Sequence, residues 1–238
     1  MPIEALFVDS AGVLLDVSRL REAWQRGVAE FCGPRLGGSA EQWAKANRLV
    51  EQRYFAWARE AAHADGGRGL RSFVRWSDER WIKDMCELVG VGSPADPIAF
   101  ADACTRHITA GAGDTAYPDA VPAVRALATR VPRLFTATSQ DERQIDGYLR
   151  AFGIRELFER TYGGDLVDRF KVNAAFFTDI MADADVAPER SALVDDNPRY
   201  LGWAREAGMK TYLLERRGED PEGHELVPSL AALTDRLG

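Results

Sequence analysis

The stretch IEALFVDSAGVLLD over residues 3–16 constrains the fold more than any other part of this chain. Residues 3–8 are mostly apolar without a helical period, and small residues follow at once, which predicts a buried strand that ends at Asp9. In open α/β sheets ligands bind at the carboxyl ends of the strands, because strand ends and helix N-termini meet there. Asp9 is therefore a candidate nucleophile, although an Asp at such a corner also commonly starts a turn or caps a helix.

Composition narrows the class of protein. The chain has 238 residues, of which 46% are hydrophobic and 28% charged, as expected for a globular protein of one large or two modest domains. The formal net charge of −7 argues against nucleic acid as a partner but allows a small anionic substrate. We find no leader peptide and no apolar run of bilayer length, so we expect a cytoplasmic protein without a membrane partner. The oligomeric state is left open.

The chain has two parts with different secondary-structure patterns. The segment 16–115 has the pattern of helices, with loops predicted over residues 33–38 and 63–69, and the later part alternates between helix and strand. The predicted fold class is α/β, a doubly wound parallel sheet with an inserted all-helical cap domain. The core would comprise residues 1–15 and 116–238, and the cap residues 16–115. The predicted helices are 19–31, 40–62, 77–89, 97–109, 118–127, 141–152, 173–184, 199–207 and 228–237, and the predicted strands after the first are 133–138, 161–163, 191–194 and 210–214.

Polar residues follow several of the predicted strands. Thr138 and Ser139 end the second strand, Lys171 precedes a helix, and Asp195 and Asp196 end a later strand. Each alone is weak evidence, since such residues often cap helices or face solvent. Because the carboxyl ends of parallel strands lie at one edge of a sheet, we expect these side chains to meet Asp9. A helical insertion after the first strand would lie over the same edge, as a lid does.

These residues, in this order, resemble the four motifs of the haloacid dehalogenase superfamily, in members of which a helical cap follows the first motif. The motifs match at Asp9, Thr138, Lys171 and the pair formed by Asp195 and Asp196. The runs LVDDN over residues 193–197 and AREAGM over residues 204–209 are especially similar to these hydrolases. The resemblance covers essentially the whole chain.

The resemblance implies Mg²⁺-dependent hydrolysis of a small phosphorylated metabolite through an aspartyl-phosphate intermediate. Asp9 would be nucleophile and metal ligand, joined by the backbone carbonyl of Ala11 and by Asp196, with Asp195 in or just outside the metal shell. Lys171 would balance charge. Thr138 would hydrogen-bond the transferring group, and Ser139 would help to bind the substrate.

Four departures from the family pattern bear on the reaction. Phosphatases of this superfamily carry a second Asp, the general acid and base, where this chain has Ala11, and such a group is commonly worth about two to four orders of magnitude in rate. Val13 replaces a Thr, Tyr200 stands where many relatives have an acidic residue, and Val172 replaces a common Pro.

Relatives that also lack the second Asp offer alternatives. Phosphonoacetaldehyde hydrolases share Asp-x-Ala-Gly and use a cap lysine, but Lys45 and Lys83 do not lie in that motif's context. The 2-haloacid dehalogenases need no metal, and their cap arginine binds the substrate. The run YFAWAR over residues 54–59 is similar to that cap segment and makes Arg59 a candidate substrate ligand. A third alternative is a ligand-binding protein that has lost turnover.

Overall fold

The computed structural model describes residues 2–216, 218 and 223–237. Within that part of the chain six strands form one parallel sheet in the order β3-β2-β1-β4-β5-β6, so β1 lies in the interior between β2 and β4. The predicted α/β class is confirmed. The strands are β1 (Ala5–Val8), β2 (Arg133–Thr138), β3 (Arg160–Gly163), β4 (Ser191–Asp195), β5 (Lys210–Leu214) and β6 (Glu225–Val227).

The sheet is covered on both faces, as a doubly wound fold requires. Its helices among the described residues are α1 (Val17–Leu36), α2 (Ala40–Ala64), α3 (Leu70–Val89), α4 (Pro97–Ala110), α5 (Ala120–Leu127), α6 (Glu142–Ala151), α7 (Ala174–Asp183), α8 (Pro198–Glu206) and α9 (Leu230–Arg236). Helices α5, α6 and α9 pack on the face that carries Leu6 and Val8. Helices α7 and α8 pack on the opposite face, around Phe7. Alternate residues of β1 thus anchor two separate cores.

Helices α1 to α4 form a block with its own buried cluster, centred on Trp43 and Met85. The two segments that connect it to the sheet run side by side, joined by an antiparallel bridge between Leu15 and Ala116. The amide of Tyr117 donates to the carbonyl of Leu14 at 2.9 Å. The helical insertion therefore begins and ends at one place beside the end of β1. The exact division into core and cap stays a prediction.

Buried ion pairs join this block to the sheet side of the molecule. Arg143 of α6 contacts Asp78 of α3 at 3.0 Å, Asp102 of α4 at 3.3 Å and Asp141, its neighbour, at 3.1 Å. The Arg143 side chain is only 15% exposed. Nearby, the Trp24 indole donates to the Tyr148 hydroxyl at 2.6 Å. These contacts hold α1, α3 and α4 in a defined position over α6.

Three local features differ from the sequence-based expectation. Helix α1 continues through Pro34 to Leu36, although residues 33–38 were expected to form a loop. The proline lies in the last turn, where few helical bonds are lost, and Gly37 at φ 85° ends the helix. Helix α3 starts at Leu70 rather than at 77. Strand β6 lies within the segment between Leu214 and Pro228, where the charged and glycine-rich sequence predicts an exposed loop, and residues 217 and 219–222 of that segment lie outside the described residues.

Two smaller observations concern membranes and cysteines. Across the described residues, every helix is too short or too polar to cross a bilayer. Cys32, Cys86 and Cys104 are buried and form no disulfide.

Candidate active site

The turn after β1 carries the candidate nucleophile. Asp9 is 5% exposed, and its amide donates to the Val194 carbonyl of β4 at 3.0 Å, which fixes it between two strand ends. Gly12 has φ of 93°, and a Cβ at this position would overlap the carboxylate of Asp196. Glycine is therefore required both by the backbone and by the close approach of the fourth-motif carboxylate. The small-residue corner seen in the sequence lets the two motifs touch.

Lys171 lies at the centre of the site. Its ammonium donates to Asp9 Oδ1 at 2.8 Å, to Asp195 Oδ2 at 2.6 Å and to the Ala137 carbonyl at 2.7 Å. The Lys171 side chain is fully buried, and three acceptors match the three donors of an ammonium group. The structure thus brings the first, third and fourth motifs together at the sheet edge, as predicted.

Three carboxylates converge on this edge. Asp9, Asp195 and Asp196 are buried, and each offers a ligand atom within 4.8 Å of the others. Asp195 also accepts the amide of Asn197 at 2.9 Å. Burial raises the pKa of Asp195 above its ordinary value, and the bond to Lys171 only partly offsets this. Burial alone would lower the pKa of Lys171, but Asp195 and Asp9 raise it well above its usual value, so Lys171 stays charged.

The second motif differs in detail from the expectation. The Thr138 hydroxyl is 1% exposed and lies 2.5 Å from the Ser10 hydroxyl, while the Ser10 hydroxyl also donates to Gln140 Oε1 at 2.7 Å. Thr138 therefore braces the turn after Asp9 and does not line the cavity described below. Ser139 and Gln140, the next two residues, do line it. Ser139 was predicted from the sequence, whereas Gln140 was not.

Tyr200 occupies the place where many relatives have an acidic residue. Its ring centroid lies 4.7 Å from the Lys171 ammonium, a cation–π contact. Burial raises the pKa of Tyr200, so its ring stays neutral beside the acidic cluster. The ring thus contacts the Lys171 ammonium in addition to its three hydrogen-bond acceptors.

A cavity of about 480 Å³ opens between the acidic cluster and the helical block. Its floor is polar and includes Asp9, Ala11, Ser139, Asp196 and Asn197. Its roof comes from α1, α2 and α3 and is rich in aromatic side chains: Trp24, Tyr54, Phe55, Trp57 and Trp81. The volume suits a small organic molecule with one polar end.

The roof does not include Arg59, the candidate from the dehalogenase resemblance. Arg59 lies on the exposed surface of α2, and the structure does not bring it to the cavity. Arg21 of α1 lines the cavity instead, with its Nε 3.8 Å from Glu51 of α2. The sequence contained a signal for this. Positions 17, 20, 21 and 24 repeat with the spacing of one helical face, and all four line the cavity.

Helix α2, which also contributes to the roof, shows the same spacing of cavity-lining positions. Positions 47, 50, 51 and 54 of α2 also lie on one face and line the cavity. Arg59 follows Phe55 by one helical turn, and only Phe55 of the two lines the cavity. The local similarity therefore pointed to a residue just beyond the part of α2 that forms the roof.

Comparison with known proteins agrees with this geometry. The family model for haloacid dehalogenase-like hydrolases matches residues 3–208. No curated protein matches the chain. Solved structures that resemble it include an L-2-haloacid dehalogenase from Xanthobacter autotrophicus, with 19% identity and a TM-score of 0.62 over 98% of this chain and 97% of that one.

Two further structures have different described activities. A HAD phosphatase from Thermococcus onnurineus has 17% identity and a TM-score of 0.65, covering 99% of this chain and 98% of that one. A Bacillus subtilis protein described as a HAD-hydrolase and solved with magnesium has 15% identity and a TM-score of 0.66, covering 100% of both chains. Identities this low show a shared fold and not a shared reaction. The family match over most of the chain identifies it as a haloacid dehalogenase-like hydrolase, an enzyme of that superfamily.

Proposed function

We propose that this hydrolase cleaves a small phosphorylated molecule with the help of Mg²⁺, through a covalent phosphoryl intermediate on Asp9. The observation that carries the proposal is the convergence of three buried carboxylates, two of which, Asp9 and Asp196, lie on the cavity floor. Lys171 bonds Asp9 and Asp195, and Asp196 adds a further carboxylate to the floor. An anionic substrate would be repelled by this floor unless a further cation were present.

The donor set fits Mg²⁺ better than a softer metal. Asp9 and Asp196 present carboxylate oxygens at the cavity floor, and the Ala11 backbone carbonyl belongs to the same turn. Mg²⁺ prefers hard oxygen ligands and usually keeps several waters, so two carboxylates and one carbonyl are sufficient. Asp195 is bonded to Lys171 and to the Asn197 amide and would act from outside the first shell. When bound, Mg²⁺ would neutralise charge on the transferring phosphoryl oxygens.

The protein's own residues supply the rest of the chemistry. An oxygen of Asp9 attacks phosphorus, and the bond from phosphorus to the leaving group breaks. Lys171 holds the other Asp9 oxygen by a hydrogen bond, while Asp195 holds Lys171 in place. Ser139 and Gln140 on the floor can donate to non-bridging oxygens. We propose that the helical block, residues 16–115, acts as the cap that excludes water during this step.

A 2-haloacid dehalogenase is the second candidate, and two observations favour it. A departing halide needs no proton, which suits the methyl group of Ala11 at the position of the missing acid. Arg21 lines the cavity and could bind a substrate carboxylate. The cluster of three carboxylates, two of them on the floor, weighs against it, since a metal-free site would have to hold an anionic haloacid beside them.

Product release with and without metal separates the two candidates. Purified protein would be assayed for phosphate from phosphate monoesters and for halide from 2-chloropropionate, each with Mg²⁺ and with EDTA. Phosphate release that EDTA abolishes supports the proposal. Halide release at the same rate with Mg²⁺ and with EDTA refutes it. Asp9→Asn serves as the blank, and Asp235→Asn, an exposed carboxylate on α9, is the matched control that should keep full activity.

A further inference from the structure

Several polar groups of the cavity roof already have partners inside the protein, although Arg21 and Glu51 also line it. The Trp24 indole donates to the Tyr148 hydroxyl at 2.6 Å, and the Trp81 indole donates to Asn47 Oδ1 at 2.9 Å. The Ser77 hydroxyl donates to the Val74 carbonyl at 3.0 Å. What the roof offers a ligand is therefore mainly ring surface.

Phe55 is the clearest example of ring surface that is open to a ligand. Its side chain lines the cavity and yet is 58% exposed, unusual for a large apolar side chain. It stacks edge-on against Tyr54 with ring centroids 5.9 Å apart. A second ring placed under these two would remove apolar surface from water without displacing any protein contact.

The floor carries no carboxylic acid at the position expected for the general acid, and Tyr200, whose ring also lines the cavity, is a weak acid because burial raises its pKa. The position that would carry the acid is the methyl group of Ala11. Two other carboxylates of the described chain line the cavity outside the acidic cluster, Asp78 and Glu51. Burial raises the pKa of Asp78, but both its oxygens accept bonds from Arg143, at 3.0 and 3.3 Å. A Glu51 carboxylate oxygen lies 3.8 Å from Arg21 Nε.

We propose that the substrate of this site is an aryl phosphate, whose ring packs against the cap aromatics and whose oxygen leaves as an unprotonated aryloxide. The inference rests on the proposed function and adds the substrate class. An Asp9 oxygen bonds to phosphorus while the aryl oxygen takes the electron pair of the broken bond. Water then attacks the aspartyl phosphate at phosphorus, which restores the Asp9 carboxylate, and both water protons leave with the phosphate.

Leaving-group chemistry connects the missing acid with the aromatic roof. A phenol has a pKa of about 10, the value of a tyrosine side chain, so its anion can leave unassisted. An alkoxide resembles hydroxide, whose conjugate acid has a pKa of about 15.7, and needs a proton as it departs. A general acid contributes about 10²- to 10⁴-fold, so its absence penalises alkyl esters and largely spares aryl esters.

Phenyl phosphate and benzyl phosphate test the predicted preference for an aryloxide leaving group directly. Both compounds carry the ring, but the extra methylene of benzyl phosphate makes its leaving group an alkoxide. Acetyl phosphate and ethyl phosphate provide the same comparison of good and poor leaving groups without a ring. We expect kcat/KM for phenyl phosphate to exceed that for benzyl phosphate by at least about 100-fold. Ala11→Asp should raise kcat for benzyl phosphate by about 10²-fold or more and change phenyl phosphate much less.

The roof is tested separately. Phe55→Ala should raise the KM for phenyl phosphate by about fivefold or more and affect acetyl phosphate less, since only the first carries a ring. Leu88→Ala, an exposed apolar residue of α3 outside the cavity, is the matched control and should leave both unchanged.

Three results would overturn the inference. Equal kcat/KM for phenyl and benzyl phosphate would show that the leaving group is protonated after all. Loss of benzyl phosphate turnover in Glu51→Gln or Asp78→Asn would identify the acid. An unchanged KM in Phe55→Ala would remove the ring contact. If none of the four phosphate compounds released phosphate in Mg²⁺ above the Asp9→Asn blank, the proposed function itself would be refuted.

Discussion

Replacing Lys171 with Met tests how the acidic cluster is held together. The ammonium lies 2.8 Å from Asp9 and 2.6 Å from Asp195, and its side chain is fully buried. At an effective dielectric of about 20, each contact is worth roughly 6 kcal/mol of Coulomb attraction, offset by several kcal/mol for removing the charges from water. Removing one partner of such a buried pair typically costs about 3–5 kcal/mol, because the remaining carboxylates lose their counter-charge.

We therefore expect Lys171→Met to lower the free energy of unfolding by about 3–5 kcal/mol, equivalent to about 6–20 °C in Tm for a chain of this size. Urea unfolding followed by circular dichroism measures the first quantity and calorimetry the second. Lys210→Met is the matched control: Lys210 is 49% exposed and pairs with Glu225 at 3.4 Å, so a change within about 0.5 kcal/mol is expected.

The stability of Lys171→Met also tests whether a metal ion binds at the cluster, without any assay of turnover. A cation bound at the cluster should stabilise the folded protein by RT ln(1 + [L]/Kd), and it should stabilise Lys171→Met as well. Adding Asp195→Asn to Lys171→Met should recover part of the lost stability, because one uncompensated charge is removed. A Tm for Lys171→Met within about 2 °C of the wild-type value would refute this account of the cluster.

Further predictions concern the turn, the ion pairs over α6 and the metal. Gly12→Ala should lower both the stability of the protein and its Mg²⁺ affinity, since the added methyl group would collide with Asp196. Gly202 is a helical glycine with open space around it, so Gly202→Ala should be neutral or slightly stabilising. Arg143→Met should cost about 3 kcal/mol in urea unfolding because two buried carboxylates lose their partner, whereas Arg106→Met at the 68% exposed end of the network should cost less than about 1 kcal/mol. Millimolar Mg²⁺ should raise the wild-type Tm and EDTA should reverse the rise; equal Tm values would contradict a metal site.

The sheet and its edge could be predicted because strand patterns are local. Strands over residues 133–138 and 210–214 were predicted with the bounds that the structure has. Parallel pairing then places every strand end on one edge, so the meeting of Asp9 and Asp195 follows from topology, whereas Lys171 lies in the segment between β3 and α7. Family resemblance added the expected roles but no distances.

The cavity roof could not be predicted, because it depends on how helices rotate against one another. Arg59 was chosen from a local similarity, whereas the rotation of α2 brings Glu51 to the cavity and leaves Arg59 in solvent. The role of Thr138 stays a prediction, and its contact with the Ser10 hydroxyl, 128 positions away in sequence, could not be predicted for a similar reason. Side-chain partners across such separations are set by packing and not by local pattern.

Strand β6 and the start of α3 were missed for local reasons. Three-residue strands carry too little alternation to recognise, and β6 exists because β5 offers it an open edge. Helix α3 begins at Leu70 after Gly69 in a left-handed conformation, within a glycine-rich run that indicates a loop.

The central claim is that Asp9 accepts a phosphoryl group in a metal-dependent reaction. The most direct measurement is acid-quench mass spectrometry of the protein mixed with phenyl phosphate or with 2-chloropropionate, each in Mg²⁺ and in EDTA. Our account predicts a phosphoryl adduct on the peptide that contains Asp9, formed only with Mg²⁺ and absent from Asp9→Asn. A carboxyalkyl ester on Asp9 that forms equally in EDTA would contradict it.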